Sequence, residues 1–247
     1  MVLEPPLRLL SFADTDSTNE EIRRRAKTGA PEGTAVVAET QRAGRGRRGR
    51  TWISPPGNLY CSLLLRPQCA PMDAANLGFA AALAVAEALL PLLPEGIDLR
   101  FKWPNDVLLT GKKVAGILIE SEIEGGVLSF AVVGVGINVA NFPRDTEFPA
   151  TSLAAVGCRT TVREVMETYF DHLRFWYGRW RSEGFAPLRD AWLARAAGIG
   201  QVIDVRMANE RLRGKFSELD DNGALILETD TGQRAITAGD VFFTGRD

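Results

Sequence analysis

The sequence predicts an α/β (α+β) chain that ends in a small all-β barrel. Three observations predict it. Strand-type and helix-type runs alternate as far as residue 197. Glycine-bearing turns at Gly111-Lys112 and Gly125-Gly126 separate strand-type runs. Beyond Gly198 the texture changes to short strand-type runs divided by turn signals such as Asp221-Asn222-Gly223.

Residues 8–12 read as a first strand. Asp16-Ser17-Thr18-Asn19-Glu20-Glu21 opens a helix, since Ser17/Glu20 and Thr18/Glu21 both have capping-box spacing, and Gly29 is its stop. Residues 34–39 (TAVVAE) form a buried-type strand. Four glycines and two prolines keep 40–58 irregular. Residues 58–65 make a strand, and 73–93 an Ala/Leu-rich helix. Within the latter, 79–93 is the most apolar stretch, too short to span a bilayer and read as buried. Residues 99–102 form a strand stopped by Pro104 and resumed at 107–109. Strands at 114–123 and 127–139 follow. Residues 161–184 form a long helix whose Val165, Tyr169, Leu173, Trp176 and Trp180 share one face, a packing stripe rather than a ligand site. A short helix covers 187–197, and strands fall at 202–207, 211–216, 224–228, 233–236 and 240–243. The expected division is therefore residues 1–197 and residues 198–247, the second docked on the first because fifty residues make a marginal core alone.

Composition narrows the chemistry. The chain has 247 residues and a formal net charge of −2, which argues against a broad DNA-coating surface. Of 29 basic residues 24 are Arg and 5 are Lys, and five of the arginines fall within 42–50. A focused anion site is the expectation. The lone histidine, His172, rules out multi-His metal sites, and its place on the long helix suits packing or solvent. Cys61, Cys69 and Cys158 have no CxxC spacing and suit a reducing cytoplasm. The N-terminus is unlike a signal peptide.

Gly44-Arg45-Gly46-Arg47-Arg48-Gly49-Arg50 satisfies GxGxxG literally, but no helix follows it, so the dinucleotide reading fails its context test. What remains is a flexible loop whose glycines admit an anion and whose Arg45, Arg47, Arg48 and Arg50 bind phosphate oxygens. Trp52 offers a stacking face. In Lys102-Trp103-Pro104-Asn105-Asp106 the proline fixes the backbone beside a cation, an amide and a carboxylate; a plain Asx turn fits equally well. Lys112-Lys113 enters a strand whose Gly116 leaves room for a ligand, or else only solubilises a turn. Gly134 and Gly136 in an apolar strand suggest close packing, and Asn138 needs a partner that an adenine edge or a turn would supply.

Together, Ser17-Thr18-Asn19, the GRGRRGR loop, KWPNDV with KKVAGILIE, and GVGIN resemble the biotin protein ligases over residues 7–140. The tail resembles that family's SH3-like C-terminal domain by texture only. The resemblance implies a catalytic domain with a mixed sheet, related to class II aminoacyl-tRNA synthetases. It implies that biotin and ATP, with Mg²⁺, give biotinyl-5′-adenylate, which acylates a lysine of a biotin carrier domain such as that of acetyl-CoA carboxylase. Carried over residue by residue, Lys113, Arg47 and Arg50 become catalytic cations, with Asp106 a less certain choice to activate the acceptor amine. Ser17, Thr18, Asn19, Gln41, Gly44, Arg45, Lys113, Gly116, Gly134 and Gly136 fall to biotin. Arg47, Arg48, Arg50, Trp52, Lys102, Asn105, Lys113 and Asn138 fall to the nucleotide. No metal ligands are assigned. Only 16 residues precede Ser17, so a form without the N-terminal DNA-binding domain is expected, with no DNA or membrane partner and a homodimer left open. The alternatives are a lipoate or octanoate enzyme of the same superfamily, and a non-enzymatic nucleic-acid-binding module.

Overall fold

A computed structural model describes residues 7–144 and 146–243. Strand β1 (Arg8–Thr15) leads into helix α1 (Thr18–Lys27), which ends at Gly29 with φ of +86°. The anticipated capping box does not form: Ser17 is the N-cap, but its side chain caps nothing. Glu20 and Glu21 turn instead to arginines on and beyond the helix. Next come β2 (Thr34–Gln41), β3 (Leu59–Leu65) and α2 (Leu77–Leu89). Helix α2 is shorter than anticipated, because its flanks tighten into 3₁₀ turns at Pro71–Asn76 and Leu90–Leu92. The helical stretch Pro71–Leu92 is apolar and long enough to cross a bilayer by composition, yet 72% of its most apolar window is buried inside the protein. Twelve of the thirteen residues of α2 are buried, which is why its sequence is apolar all round.

Strands β4 (Leu99–Lys102) and β5 (Asp106–Leu109) pair antiparallel as a hairpin, so Pro104 reverses the chain and does not merely interrupt one strand. Strands β6 (Lys112–Glu124) and β7 (Val127–Ile137) complete a seven-stranded sheet of order β1-β2-β3-β7-β6-β5-β4. Only β1–β2 is parallel, so the sheet is mixed. Helix α3 (Val162–Glu183) carries a true Thr161/Glu164 capping box, and its aromatic stripe is buried as expected. Helix α4 (Ala186–Leu193) follows.

The tail forms β8 (Val202–Arg206), β9 (Arg211–Leu219), β10 (Leu225–Thr229), β11 (Gly232–Ile236) and β12 (Asp240–Phe243), an antiparallel sheet of order β11-β10-β9-β8-β12. No β11–β12 ladder closes it among the described residues.

The two faces of the large sheet are unequal. Ala131, Val133 and Val135 of β7 face the main core under α2 and α3, which runs on without a break into Ile203, Phe216, Leu225 and Val241 of the tail. The tail thus buries its apolar side on the rest of the chain, and Trp103 Nε1 donates to Gly223 O at 3.1 Å across the junction. The opposite face carries only a small core, where Ile22 and Ala26 of α1 meet Val36, Leu64, Phe130 and Val132. Helix α1 covers half of that face. The other half is left open, because the next residues in period-two register are Gly134, Gly136 and Gly116.

Candidate active site

The open half-face is a cavity. One cross-strand row runs through it: Tyr60, Gly136, Gly116, Asp106 and Lys102 are paired in succession from β3 to β4. Lys113 reaches the same face only because the β5–β6 register shifts between Val107 and Leu108. The bulge pairs Lys113 with Leu108, two residues from Asp106, and so turns a side chain that strict alternation would bury. Lys113 Nζ lies 2.6 Å from Asp106 Oδ1, which accepts no well-aligned hydrogen bond, so the contact is chiefly electrostatic.

The end near α1 is neutral and closed by hydrogen bonds. Thr18 donates its N–H to Gln41 Oε1 at 2.9 Å, and Gln41 Nε2 donates to Ser54 Oγ. Ser62 Oγ lies 2.8 Å from Thr18 Oγ1 and 2.6 Å from Asn19 Oδ1. Asn19 Nδ2 donates to Glu120 at 2.7 Å. A Cβ on Gly134 would fall 2.0 Å from Asn19 Oδ1, so only glycine lets that amide lie on the strand. Ser17, Thr18 and Asn19 are buried, and all three line the cavity with Gln41.

The far end is cationic. Arg47, Arg50, Lys102 and Lys113 line it against two carboxylates, Asp106 and Asp240, while Arg45 lines the cavity nearer α1. The arginine loop is a tight hairpin rather than a free tether. Arg45 bridges Thr51, Gly46 N–H donates to Arg50 O, and Trp52 N–H donates to Gly44 O. Gly44 is required there, since a Cβ would fall 2.3 Å from Trp52 O. Arg45 pairs with Glu20 and with Glu120. Arg47 donates to Asn105 Oδ1 at 3.1 Å, and burial pulls its guanidinium below the usual arginine range. Asn105 in turn donates to Ile117 O, so the loop is tied to β6 through one amide.

Burial also pulls Lys102 down, to about 8, while Asp106 works the other way. Its Nζ lies 3.4 Å from the centroid of Phe148 and within 6.0 Å of Phe242 and Phe243, a partly aromatic cage. Trp52 lies against the two facing glycines: a Cβ on Gly136 or Gly116 would approach its ring to 2.5 or 2.8 Å. Its indole Nε1 is buried without a partner.

Two expected nucleotide residues are not in the lining of this cavity. Arg48, with φ of 56°, points from the cavity toward the tail and approaches Asp240 at 3.5 Å. Asn138 lies on an adjoining cavity, and its Nδ2 already donates to Thr151 O at 2.9 Å, the turn-type partner rather than an adenine edge. Sequence reading missed Ser62, Glu120, Phe148 and Asp240. Ser62 stands in an ordinary strand, Glu120 closes the KKVAGILIE segment without standing out in it, and the last two come from segments with no motif around them.

The fold and cavity define a mixed α/β protein whose polar pocket opens onto a cluster of cations. The biotin/lipoate A/B protein ligase family model matches residues 11–138, and the biotin protein ligase C-terminal domain model matches residues 198–244. The chain is 44% identical to the biotin–[acetyl-CoA-carboxylase] ligase of Paracoccus denitrificans, over 95% of this chain and all of that protein. It is 37% identical to the bifunctional ligase/repressor BirA of Bacillus subtilis, over 91% of this chain and 70% of that protein. Among solved structures it is similar to the biotin protein ligase of Aquifex aeolicus in complex with biotin and ATP, with a TM-score of 0.79 and 29% identity over 95% of this chain and 97% of that one. The chain belongs to the biotin protein ligase family.

Proposed function

We propose that the chain activates biotin with ATP and passes the biotinyl group to a lysine of a carboxylase carrier domain. One observation carries this reading: a single cavity joins a hydrogen-bonded polar pocket to a cluster of four cations, Arg47, Arg50, Lys102 and Lys113. The polar end suits the ureido ring of biotin, with Thr18, Asn19 and Gln41 around it and Ser62 bonded behind them. The cationic end suits a triphosphate. Related proteins support both ligands, since the Aquifex structure holds biotin and ATP and one from Leishmania major holds biotinyl-5-AMP.

In the first step a biotin carboxylate oxygen attacks the α-phosphorus and pyrophosphate leaves. Lys113, at the junction of the two ends, neutralises both reacting anions and holds them in line. Arg47 and Arg50 stabilise charge on the departing phosphates. In the second step the acceptor amine attacks the biotinyl carbonyl, AMP leaves, and the amine's proton passes to Asp106. The described residues contain no cluster of three or more His, Cys, Asp or Glu side chains. Mg²⁺ bound to the nucleotide would supply charge neutralisation on the phosphates, beside Arg47, Arg50 and Lys113. An ATP-consuming reaction and three free cysteines fit a cytoplasmic setting.

The test is pyrophosphate exchange by the purified chain with ATP and either biotin or lipoate. Exchange should require biotin. Exchange driven by lipoate alone would overturn the substrate assignment. A nucleic-acid module is not favoured, because it gives no role to the hydrogen-bonded pocket of Thr18, Asn19 and Gln41 or to Lys113 beside it in the same cavity.

A further inference from the structure

We infer that Asp240, in the last strand of the tail, is a positioning residue for the nucleotide end of the site. Through it the C-terminal sheet aims Arg50 at the substrate phosphates. The inference rests on the ligase reading above.

Three guanidinium groups converge on one buried carboxylate. Arg50 Nη2 donates to Asp240 Oδ2. Arg206 of β8 donates to the same oxygen at 3.3 Å, and Arg48 lies 3.5 Å away. Burial opposes ionisation of Asp240, but the bonds from Arg50 and Arg206 and the charge of Arg48 outweigh it, so the carboxyl is held below its usual range. Asp240 is only 7% exposed, yet it lines the cavity beside Arg50. Arg206 is itself fixed by a two-pronged bond to Glu147, at 2.6 and 2.9 Å.

The arrangement has a plain physical consequence. A carboxylate in an anion site should weaken anion binding, unless it serves to orient a cation. Arg50 gives Asp240 one of its five N–H donors and keeps the rest for phosphate oxygens. A long, flexible side chain loses much entropy when a substrate must immobilise it; a carboxylate behind it removes part of that cost in advance. A glycine-bearing loop could not do this alone, and β12 belongs to a different sheet. The tail would therefore govern nucleotide affinity while leaving the biotin pocket, which it does not line at the α1 end, unaffected.

The experiment is biotin-dependent pyrophosphate exchange by the full chain with Asp240→Asn and Asp240→Glu. Failure of the wild-type chain to exchange would count against the ligase reading itself. Given an active wild type, Asp240→Asn should raise the KM for ATP about tenfold, the scale of one charge-assisted hydrogen bond. The KM for biotin should stay within about twofold, and Asp240→Glu should recover most of the loss. In an Arg50→Ala background, Asp240→Asn should add no further change, since its effect runs through that guanidinium. An unchanged or lowered KM for ATP overturns the inference, as does an equal rise for biotin and ATP. Should Asp240→Asn not fold, Arg50→Ala decides: it should raise the KM for ATP about tenfold with that for biotin within about twofold, and an unchanged KM for ATP overturns the inference.

Discussion

The two ends of the cavity are built on opposite principles. At the α1 end Thr18, Asn19, Gln41 and Ser62 are neutral groups on rigid elements, and they bond one another before any ligand arrives. At the other end the cations come from a hairpin loop, the β4–β5 turn and a bulged strand, and they are held by carboxylates and rings that reach in from distant segments. A neutral pocket can be finished locally, because buried hydrogen bonds need only near neighbours. Like charges repel one another, so that end must recruit counter-charges and aromatic faces from wherever the fold can supply them.

The largest expected effect lies where the two ends meet. Lys113→Ala removes the fixed charge shared by both reactants and should lower pyrophosphate exchange by about 10²–10³-fold, the range seen when one preorganised electrostatic group is lost. Near-normal exchange by that variant would break the division between the ends. Next comes a probe of the neutral end alone. Gly134→Ala forces a Cβ to within 2.0 Å of Asn19 Oδ1 and displaces that amide. Affinity for biotin should fall about tenfold or more, while that for ATP moves little, as calorimetry with each ligand would show.

Arg47→Gly tests the loop. It removes the bond to Asn105 and a phosphate partner together, so the adenylate should escape about tenfold faster. An unchanged release rate in a filter-binding chase would assign retention to other groups. The smallest effect is one of pH. Lys102 is charged below about 8 and neutral above it. Its folded value is lowered, so its buried charge costs stability at neutral pH, and that cost is relieved as pH rises through about 8 toward the ordinary lysine range. Binding runs the other way. The KM for ATP should rise as Lys102 loses its proton above pH 8, and Lys102→Arg should flatten that rise.

Much of this was legible in the chain. Strand and helix types follow from periodicity, and the GRGRRGR and KWPND segments mark the cationic end without help. Element ends were read less well. The α1 capping box failed because Glu20 and Glu21 found arginine partners, some far along the chain. Pro104 was read as a pause in one strand, although Lys102 pairs back onto Asp106. Arg48 shares a motif with Arg47, yet a positive φ turns it out of the cavity. Spacing cannot tell which arginine of a glycine-rich hairpin faces inward, because that depends on the dihedral of each residue.

The fold class, the clustering of arginines at 42–50 and the glycines that leave half of one sheet face open are all written in local pattern and residue type. Folding in three dimensions sets Ser62 and Glu120 behind Thr18 and Asn19, lets a bulge turn Lys113 inward, and stands Asp240 behind Arg50. Those are contacts between segments 43 to 190 residues apart, or a register shift, and no short-range preference encodes them.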